Sequence, residues 1–529
     1  MNRARIRLLI VAVLLIGGLA GRWLADQATE VGDPQAADTA ETVTPRPKPL
    51  RDGPIRDLKT ERGPGSVFTE DSEAEDAGAL RNQRTITFSS VEAMEAFLKK
   101  AQGKGIALLG RIDALKTLRV GFLSLDELRG LLEGEEQLGM IFPAFVPGQG
   151  TVQPGAVGFG DLFLDWLGVT GDRSQIGANF KIAVLDTGVV VTDAFTGQVI
   201  SKNFVDLPAD LSLINSHGTS VAAIIAAQLG LSPGATILDF RVADDNGVSN
   251  TFTLAEAVLA AVQDGAEIIN MSLGSRGFSQ VLENALQVAY EAGIAVVVST
   301  GNEGLDSVSY PASSRYTVAV GAVEGRGDHL DFSNSGEVSL VAPGLALTSV
   351  DQYGNAVSFS GTSAAAPTVS GAIAYIMDTF DVSALNAVQI LYANANETGP
   401  PGYDSLNGEG ILNVGRAVDS QTTGISDVAI ASNHFTTDSN GVPIVQVTVE
   451  NRGTTTLSNS PISVTTPGGT SNANIPFLEP GDIRTLSFNL GATSGNVSVQ
   501  SSVNVSSGAA DQNPQDNQRV DSFSLSDSP

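Results

Sequence analysis

Residues 181–188 read KIAVLDTG, an apolar run that ends in an acidic residue and a turn. Continuous apolar runs of this length are typical of strands that are buried on both faces, as in a parallel sheet. Asp186 closes the run, and Gly188 allows the chain to turn sharply. A carboxylate at the end of a buried strand needs a partner, because burying it alone is costly. From this fragment alone, Asp186 could belong to a functional site or simply cap the turn.

The same strand pattern recurs downstream between segments with helical periodicity. The strand-like runs are TILDFRV (236–242), EIINMSL (267–273), IAVVVST (294–300) and YTVAVGAV (316–323). The helical segments between them include LAEAVLAAVQDG (254–265) and VLENALQVAYEAG (281–293). This alternation predicts an α/β fold with a doubly wound, mostly parallel sheet. Chemistry in such sheets lies at the carboxyl ends of the strands.

Two further segments carry residues suited to nucleophilic catalysis. His217 is one of only three histidines and opens HGTSVAAIIAAQ, which has small residues close to the ring. Ser363 follows Gly361 at the start of an apolar helix, where backbone donors and the helix dipole favour an oxyanion. A nucleophilic serine needs a base, and the base needs an orienting carboxylate. Asp186, His217 and Ser363 supply these three groups.

With the motifs DTG, HGTS, STGNEG and GTSAAAP in this order, residues 156–420 resemble the subtilisin-like serine proteases, the subtilase family. The resemblance implies that His217 is the general base for Ser363 and that Asp186 orients it. It also makes Asn302, in STGNEG, the side-chain donor to the oxyanion. The family's substrate-pocket walls match six residues: Ser272, Leu273, Gly274, Ser299, Thr300 and Gly301.

The match departs from the family after the histidine helix. The stretch AAQLGLSPGATI, residues 226–237, leaves no room for the calcium loop that many relatives insert there. The resemblance implies that the chemistry needs no cofactor, and metal ligands stay unassigned. Structural calcium could still bind elsewhere, because acidic loops are plentiful.

The first 84 residues differ in composition from the rest. Residues 1–26 contain the basic stretch MNRARIR and an apolar run from Leu8 to Gly21, which predicts a signal peptide or a membrane anchor. Residues 27–84 are rich in Pro, Gly, Asp and Glu without apolar periodicity, which predicts a disordered linker. Either interpretation of the N-terminus predicts export, to an extracellular, periplasmic or cell-surface location.

Residues 85–150 predict a separate α+β unit with the order βαββαβ, a ferredoxin-like plan whose last strand is MIFPAFVP. Subtilases often carry a propeptide of this plan, which chaperones folding and inserts its tail into the active site. By that resemblance FPAFVPGQGTVQPG is the tail, and self-cleavage is expected between about Val146 and Val157. The alternative is a permanent regulatory or binding domain.

Two domains complete the chain. Residues 151–423 form the predicted catalytic domain. Residues 424–529 alternate apolar and polar residues between Gly, Asn and Ser turns, which predicts an all-β sandwich. This segment resembles the immunoglobulin-like CARDB-type modules of exported bacterial enzymes, which could bind a surface or polymer or act as a spacer.

Composition limits the classes of function. The formal charge of −28 argues against nucleic acid or anionic lipid as the main partner, and the absence of cysteine excludes thiol chemistry. The sequence therefore predicts an exported serine endopeptidase, made as a self-processing zymogen. Its partners would be peptide or protein substrates and its own propeptide. The alternatives are a dedicated processing protease or peptide ligase of narrow range, and a non-catalytic surface-binding scaffold.

Overall fold

The computed structural model describes residues 42–43, 71–205, 215–491, 494–505 and 510–525. The predicted signal peptide or anchor and most of the predicted linker lie outside these ranges. No helix in the described ranges is both long and apolar enough to cross a membrane.

The N-terminal unit is a four-stranded antiparallel sheet with helices. Its elements, after the two-residue strand β1 (Thr42–Val43), are α1 (Ser72–Ala77), β2 (Gln83–Thr87), α2 (Val91–Ala101), β3 (Ile106–Ile112), β4 (Thr117–Phe122), α3 (Leu125–Leu131), β5 (Gln137–Gly139) and β6 (Pro143–Phe145). The sheet order is β3-β4-β2-β5. The hydroxyl groups of Ser90 and Ser124 accept from backbone N–H groups and cap α2 and α3. The order of elements is the βαββαβ plan expected from the sequence.

Two details of this unit correct the sequence-based boundaries. The predicted linker of residues 27–84 contains β1 and α1, and continuous structure of this unit begins at residue 71, where the buried Asp71 carboxylate pairs with the buried Arg84 guanidinium. The predicted last strand, MIFPAFVP, is not one strand of this sheet. β5 closes the sheet, whereas β6 pairs with two strands of the next domain. β6 packs with the next domain, because Ala144 of β6 and the nearby Ile141 are fully buried in the core of that domain.

The central domain is built on a seven-stranded sheet. Its elements are α4 (Phe163–Trp166), β7 (Lys181–Asp186), β8 (Val199–Asn203), α5 (His217–Ala226), β9 (Thr236–Arg241), β10 (Val248–Asn250), α6 (Thr251–Gln263), β11 (Ile268–Met271), β12 (Gly274–Ser275), α7 (Gln280–Glu291), β13 (Ala295–Ser299), β14 (Val318–Val323), β15 (Leu340–Pro343), β16 (Leu347–Val350), β17 (Ala356–Phe359), α8 (Thr362–Phe380), α9 (Ala384–Ala393) and α10 (Val414–Asp419). The sheet order is β15-β14-β13-β11-β7-β9-β8, and every neighbouring pair is parallel.

Helices cover both faces of this sheet, which explains the continuous apolar strands. In β7, Ile182 and Val184 pack into the core that contains α5 and α8. Ala183 and Leu185 point to the opposite core, which contains α6 and α7. Because successive side chains of a strand point to opposite faces, a strand between two cores must be apolar throughout. The arrangement brings the carboxyl ends of β7, β11 and β13 to one edge.

The C-terminal segment consists of antiparallel strands. They are β18 (Val428–Thr437), β19 (Pro443–Asn451), β20 (Leu457–Thr466), β21 (Gly469–Leu478), β22 (Ile483–Asn489), β23 (Gly495–Val503) and β24 (Gln518–Leu525). They form two four-stranded sheets, β1-β22-β19-β18 and β21-β20-β23-β24. One apolar core, including Val447, Val464 and Val499, draws side chains from both sheets.

A buried charge network joins this segment to the central domain. Glu450 of β19 is 2% exposed and pairs with Arg416 of α10 and with Arg452. Arg452 also pairs with Asp516 at 2.8 Å. Removing one member of a buried network of this kind leaves an uncompensated charge, so the network holds α10 and β19 together.

Candidate active site

Asp186 and His217 form a buried hydrogen-bonded pair. Asp186 is the last residue of β7 and is fully buried. Nδ1 of His217 lies 2.8 Å from Oδ1 and 3.0 Å from Oδ2 of the carboxylate. The backbone N–H of Thr187 donates to Oδ1 at 2.7 Å. The carboxylate therefore has the hydrogen bonds that a buried charge needs, and it orients the imidazole.

Two side-chain contacts hold the backbone around His217, and a third holds its ring. His217 opens α5, and its N–H donates to Oδ1 of Asn215 at 2.9 Å. The N–H of Gly218 donates to the hydroxyl of Thr187 at 3.1 Å. The imidazole meets the Phe359 ring edge to face, with centroids 5.3 Å apart. The ring therefore has little freedom to leave Asp186.

Ser363 lies in the first turn of α8 and is 1% exposed. Among the described residues, neither its Oγ nor Nε2 of His217 has a hydrogen-bond partner, although both atoms are buried. Most buried polar atoms in proteins are paired, so unpaired ones point to a reactive or ligand-binding role.

A polar chain fixes the helix that carries Ser363. The carbonyl oxygen of Ser363 accepts from the hydroxyl of Ser272 at 3.3 Å. That hydroxyl accepts from the amide of Asn270 at 3.1 Å, and Ser370 donates to Asn270 Oδ1 at 2.9 Å. Asn270 and Ser370 were not predicted from the sequence, although a polar Asn inside the apolar run EIINMSL was the available signal.

Asn302 follows β13 and has a fixed amide orientation. Its Oδ1 accepts from both the N–H and the hydroxyl of Thr362, each at 2.9 Å. Since both of these groups donate, the other end of the amide must be Nδ2. This Nδ2 donates to the carbonyl oxygen of Gly148 at 2.9 Å. A peptide carbonyl from the N-terminal part of the chain therefore accepts a hydrogen bond from the Asn302 side chain.

That carbonyl belongs to an extended segment that crosses the site. β6 lies between β10 and β12 in a three-stranded antiparallel sheet. The N–H of Val146 continues the pairing by donating to the Gly247 carbonyl at 2.9 Å. Beyond Gly148, any side chain on Gly150 would overlap the ring of Phe332.

Comparison with known proteins gives the family. A family model described as the subtilase family matches residues 177–410. Subtilisin DY of Bacillus licheniformis is 32% identical over 249 residues, which cover 45% of this chain and 90% of that protein. A thermostable alkaline protease of Halalkalibacterium halodurans is 35% identical over 254 residues, 46% of this chain and 69% of that protein. The chain belongs to the subtilase family.

A solved structure supports the subtilisin-like α/β fold of this subtilase. Fervidolysin from Fervidobacterium pennivorans, described as a keratinolytic enzyme related to subtilisin, aligns with a TM-score of 0.57. The alignment covers 85% of this chain and 77% of that one at 21% identity, so it concerns the fold alone. By family, the chain is a serine-type endopeptidase.

Three of the six predicted pocket residues of the subtilase contact β6 or the first turn of α8. Gly274 pairs with Phe145 of β6, and Gly301 donates its N–H to the Thr362 hydroxyl at 3.2 Å. Ser272 contacts Ser363, as described above. The remaining three are fully or almost fully buried: Leu273, Ser299 and Thr300. The hydroxyls of Ser299 and Thr300 have no partner among the described residues.

A second buried carboxylate lies next to the pair. Asp239 of β9 is 4% exposed, and β9 pairs with β7. Its Oδ1 accepts from the N–H of Val189 at 3.1 Å. Burial raises the pKa of Asp239 to about 6, and the nearby charge of Asp186 contributes. Asp239 was not predicted as a site residue, although an Asp inside the apolar run TILDFRV was the available signal.

The described residues contain one cluster of three acidic groups that could hold a metal ion, and it lies outside the central domain. Asp427, Asp511 and Asp516 belong to the C-terminal segment. Arg452 already pairs with Asp516. The short connection from α5 to β9, residues 227–235, contains no acidic residue.

Proposed function

We propose that Asp186, His217 and Ser363 form the catalytic triad of an exported, self-processing endopeptidase, with Asn302 as the oxyanion donor. The observation that carries this proposal is the bond from Asn302 Nδ2 to the carbonyl of Gly148, because the predicted oxyanion donor then contacts the carbonyl oxygen of a peptide bond. The buried Asp186–His217 pair supports the assignment of the base.

In this reaction His217 Nε2 takes the proton of Ser363 Oγ as the oxygen attacks the carbonyl carbon of the substrate. Asp186 keeps the proton of the neutral ring on Nδ1 and stabilises the imidazolium that forms. His217 then gives the proton to the leaving amine, and an ester on Ser363 remains. Water, activated by the same ring, hydrolyses the ester and restores the serine hydroxyl.

Asn302 stabilises the charge that develops on the carbonyl oxygen. Thr362 orients its amide before substrate arrives, so no reorganisation is needed during the reaction. Donors of this kind contribute about 10²–10³-fold to kcat. The backbone N–H groups at the start of α8 also stabilise this negative charge.

The substrate is a peptide or protein segment in extended conformation. β10 and β12 offer their edges to β6, and such strand addition uses main-chain hydrogen bonds that any peptide can make. Gly247 and Gly274 lie where the backbone of a bound peptide passes. The affinity for a peptide then depends little on its side chains.

The N-terminal unit acts as an inhibitory propeptide in this proposal. Ile112, Ile141 and Ala144 share a core with Phe240 and Phe252 of the central domain. This buried contact holds β6 in the cleft, where it excludes other substrates. The basic and apolar stretches of residues 1–26 support export, and the C-terminal strands would serve as a surface-binding module or a spacer.

Activity of three variants tests the proposal. Wild-type enzyme freed from its N-terminal unit should cleave an unfolded protein substrate, and Ser363→Ala and His217→Ala should not. Asn302→Ala should lose about 10²–10³-fold in kcat with KM little changed. A wild-type-like kcat in Asn302→Ala would exclude the oxyanion role. Cleavage of the enzyme's own chain alone would instead favour a dedicated processing enzyme.

A further inference from the structure

We propose that Asp427, Asp511 and Asp516 bind one Ca²⁺ ion, together with the side-chain amide of Asn517. The bound ion would fasten the connection between β23 and β24 to the start of β18. This site lies in the C-terminal segment, outside the cleft, and no step of the peptidase reaction enters the proposal.

The three carboxylates lie close enough to share one ion. Asp427 immediately precedes β18, and Asp511 and Asp516 lie in the connection from β23 to β24. Each carboxylate offers one oxygen, and these three oxygens all lie within 4.8 Å of one another. Ligand oxygens lie about 2.3–2.6 Å from a Ca²⁺ ion, so two of them on opposite sides are about 5 Å apart. The spacing of the cluster therefore fits a single Ca²⁺.

Two oxygen atoms of the cluster lack a hydrogen-bond donor. Among the described residues, neither Oδ1 of Asp427 nor Oδ1 of Asp516 has a partner, although both atoms are buried. Most buried polar atoms in proteins are paired, and leaving one unpaired costs free energy. A cation between the carboxylates would give both oxygens a partner.

Asn517 adds an observation that does not depend on the acidic residues. Its side chain faces the cluster, because Nδ2 donates to Asp511 Oδ2 at 3.3 Å, and the residue is only 7% exposed. Oδ1 of the same amide is buried and has no partner among the described residues. Amide oxygens are regular ligands of Ca²⁺. Asn517 can therefore supply a fourth, neutral ligand.

Hydrogen bonds orient two of the carboxylates before an ion arrives. Asp511 accepts from the N–H of Val428 at 3.2 Å and from the N–H of Asn513 at 2.9 Å. The amide of Asn513 also donates to Asp516 Oδ2 at 3.0 Å. Each carboxylate oxygen has two lone pairs, so these bonds leave positions for a cation.

The charges around the cluster leave an excess of negative charge. Arg452 pairs with Asp516 at 2.8 Å, but it also pairs with Glu450, whose second partner is Arg416. The three carboxylates of the cluster and Glu450 thus share two guanidinium groups. One divalent cation balances the two negative charges that remain when all four carboxylates are ionised.

The arrangement of the ligands favours Ca²⁺ over Mg²⁺. Ca²⁺ accepts six to eight oxygens in a flexible geometry, whereas Mg²⁺ requires a near-ideal octahedron at shorter distances. Asp427 comes from one segment and the other three ligands come from residues 511–517, so no single loop sets the geometry. Water would complete the coordination shell.

The site lies where the C-terminal strands meet the central domain. In the same connection, Gln512 donates its side-chain amide to Asp419, the last residue of α10, at 3.2 Å. Its N–H donates to the carbonyl of Ser426 at 2.9 Å. Because the ligands lie on both sides of these contacts, a bound ion should stabilise the junction between the two parts of the chain.

Isothermal titration calorimetry of the full-length Ser363→Ala chain, stripped with EDTA and desalted, tests binding. Adding Asp427→Asn removes one charged ligand and leaves the Arg452–Asp516 pair in place. This variant should lose one Ca²⁺ site or bind there at least about tenfold more weakly, because the charge of the ligands sets the affinity. Titration with Mg²⁺ should give an affinity for this site at least about tenfold lower than that for Ca²⁺. Equal affinities for the two ions would overturn the choice of Ca²⁺.

The matched control is Asp438→Asn, in the turn between β18 and β19. Asp438 accepts two backbone N–H groups, and asparagine can accept the same bonds. Its isotherm should equal that of the parent chain. Identical isotherms for the parent, Asp427→Asn and Asp438→Asn would overturn the proposal. Asn517→Ala should weaken binding about tenfold, and an unchanged affinity would remove Asn517 from the ligands.

Thermal unfolding separates an ion ligand from a residue that only supports the fold. Without Ca²⁺, Asp427→Asn should have a Tm equal to or above that of the parent, because one of three like charges is gone. In about 5 mM Ca²⁺, above the Kd of typical extracellular sites, the Tm of the parent should rise by several degrees more than that of the variant. A variant whose Tm is lowered equally in both buffers would overturn the proposal.

Discussion

Gly361 lies against the side-chain amide of Asn302, so that a Cβ atom on Gly361 would stand 2.8 Å from Nδ2. Gly361 also has a φ of +117°, a conformation that residues with side chains rarely adopt. The glycine before the helix of Ser363 therefore keeps the space in which the oxyanion donor lies.

Gly361→Ala should lower kcat by about 10²-fold, because the methyl group displaces an oxyanion donor. The KM should change less, since the main-chain pairing of substrate with β10 and β12 is untouched. Steady-state kinetics on a peptide substrate measures both. Gly293→Ala is the matched control, because Gly293 has a φ of +82° but open space around its Cβ position. An equal loss of kcat in the control would assign the effect to backbone strain alone.

Gln153→Ala should loosen the segment that follows β6, because the Gln153 amide bonds to the backbone of His329 and Asp331. The variant loses two neutral hydrogen bonds to the central domain, about 1 kcal/mol each. Together these bonds contribute about 2 kcal/mol, so cleavage of this segment by an added protease should be about thirtyfold faster. Gln175→Ala is a control, because among the described residues its side-chain amide bonds only to the neighbouring Ser174. Cleavage at the wild-type rate would mean that Gln153 does not anchor the segment.

Arg416→Met should destabilise the chain strongly. Burial alone would raise the pKa of Glu450, but the Arg416 and Arg452 guanidinium groups outweigh burial and hold it below its usual value. Loss of Arg416 leaves the buried carboxylate half paired, which should cost about 3 kcal/mol in the free energy of unfolding. Urea denaturation of the Ser363→Ala chain avoids self-digestion during the measurement.

The control for this measurement is Arg81→Met. Arg81 pairs with Glu75, but both side chains are more than half exposed, at 62% and 58%. Exposed pairs contribute at most about 1 kcal/mol. If both variants lost the same small amount, the network around Glu450 would not join α10 to β19 energetically.

Glu397→Gln should reduce the alkaline sensitivity of the fold. Burial, with the nearby charges of Glu450 and Asp404, raises the pKa of Glu397 to about 9. The folded chain thus holds this proton where the unfolded chain has released it, so stability is full below pH 4.5 and falls as pH rises towards 9. Glutamine does not titrate. The Tm of Glu397→Gln should therefore fall less than that of the wild type between pH 5 and pH 9.

The exposed Glu479→Gln serves as the control for the pH series, and its Tm should follow the wild type at every pH. Parallel Tm curves for Glu397→Gln and the wild type would mean that Glu397 is ionised throughout the range.

The parallel sheet was predictable because its strands lie between two apolar cores. A run such as KIAVLD can only be buried on both sides, and that burial determines where Asp186 ends up. Asp186, His217, Ser363 and Asn302 were found through short motifs whose neighbours are glycines or small residues. The roles of these four residues remain predictions that the variants above test.

The contacts that sequence analysis missed are those between segments far apart in the chain. The sequence predicts β6 as part of the last strand of the N-terminal sheet, but its partners lie at residues 248–250 and 274–275. Alternation of side chains does not say which edge a strand joins. Arg416 and Glu450 are separated in the same way, and a charged residue in a sequence is usually solvated.

His329 and His434 also differ from expectation. Neither residue lies in a catalytic motif, so the sequence predicts both at the surface, yet both are half-buried. Burial lowers the pKa of His329 to about 4 and lowers that of His434. A histidine without a catalytic context can therefore be neutral by burial, which composition does not reveal.

The pairing of Arg416 with Glu450 has a consequence for where this enzyme can work. A module on a flexible linker lets its enzyme search a volume, whereas β19 is held to α10 by buried charges. If the C-terminal strands adhere to a solid material, the distance and the orientation of the cleft relative to that material are fixed. The reach of the enzyme would then be a property of its fold, and only bonds presented at that distance would be cut.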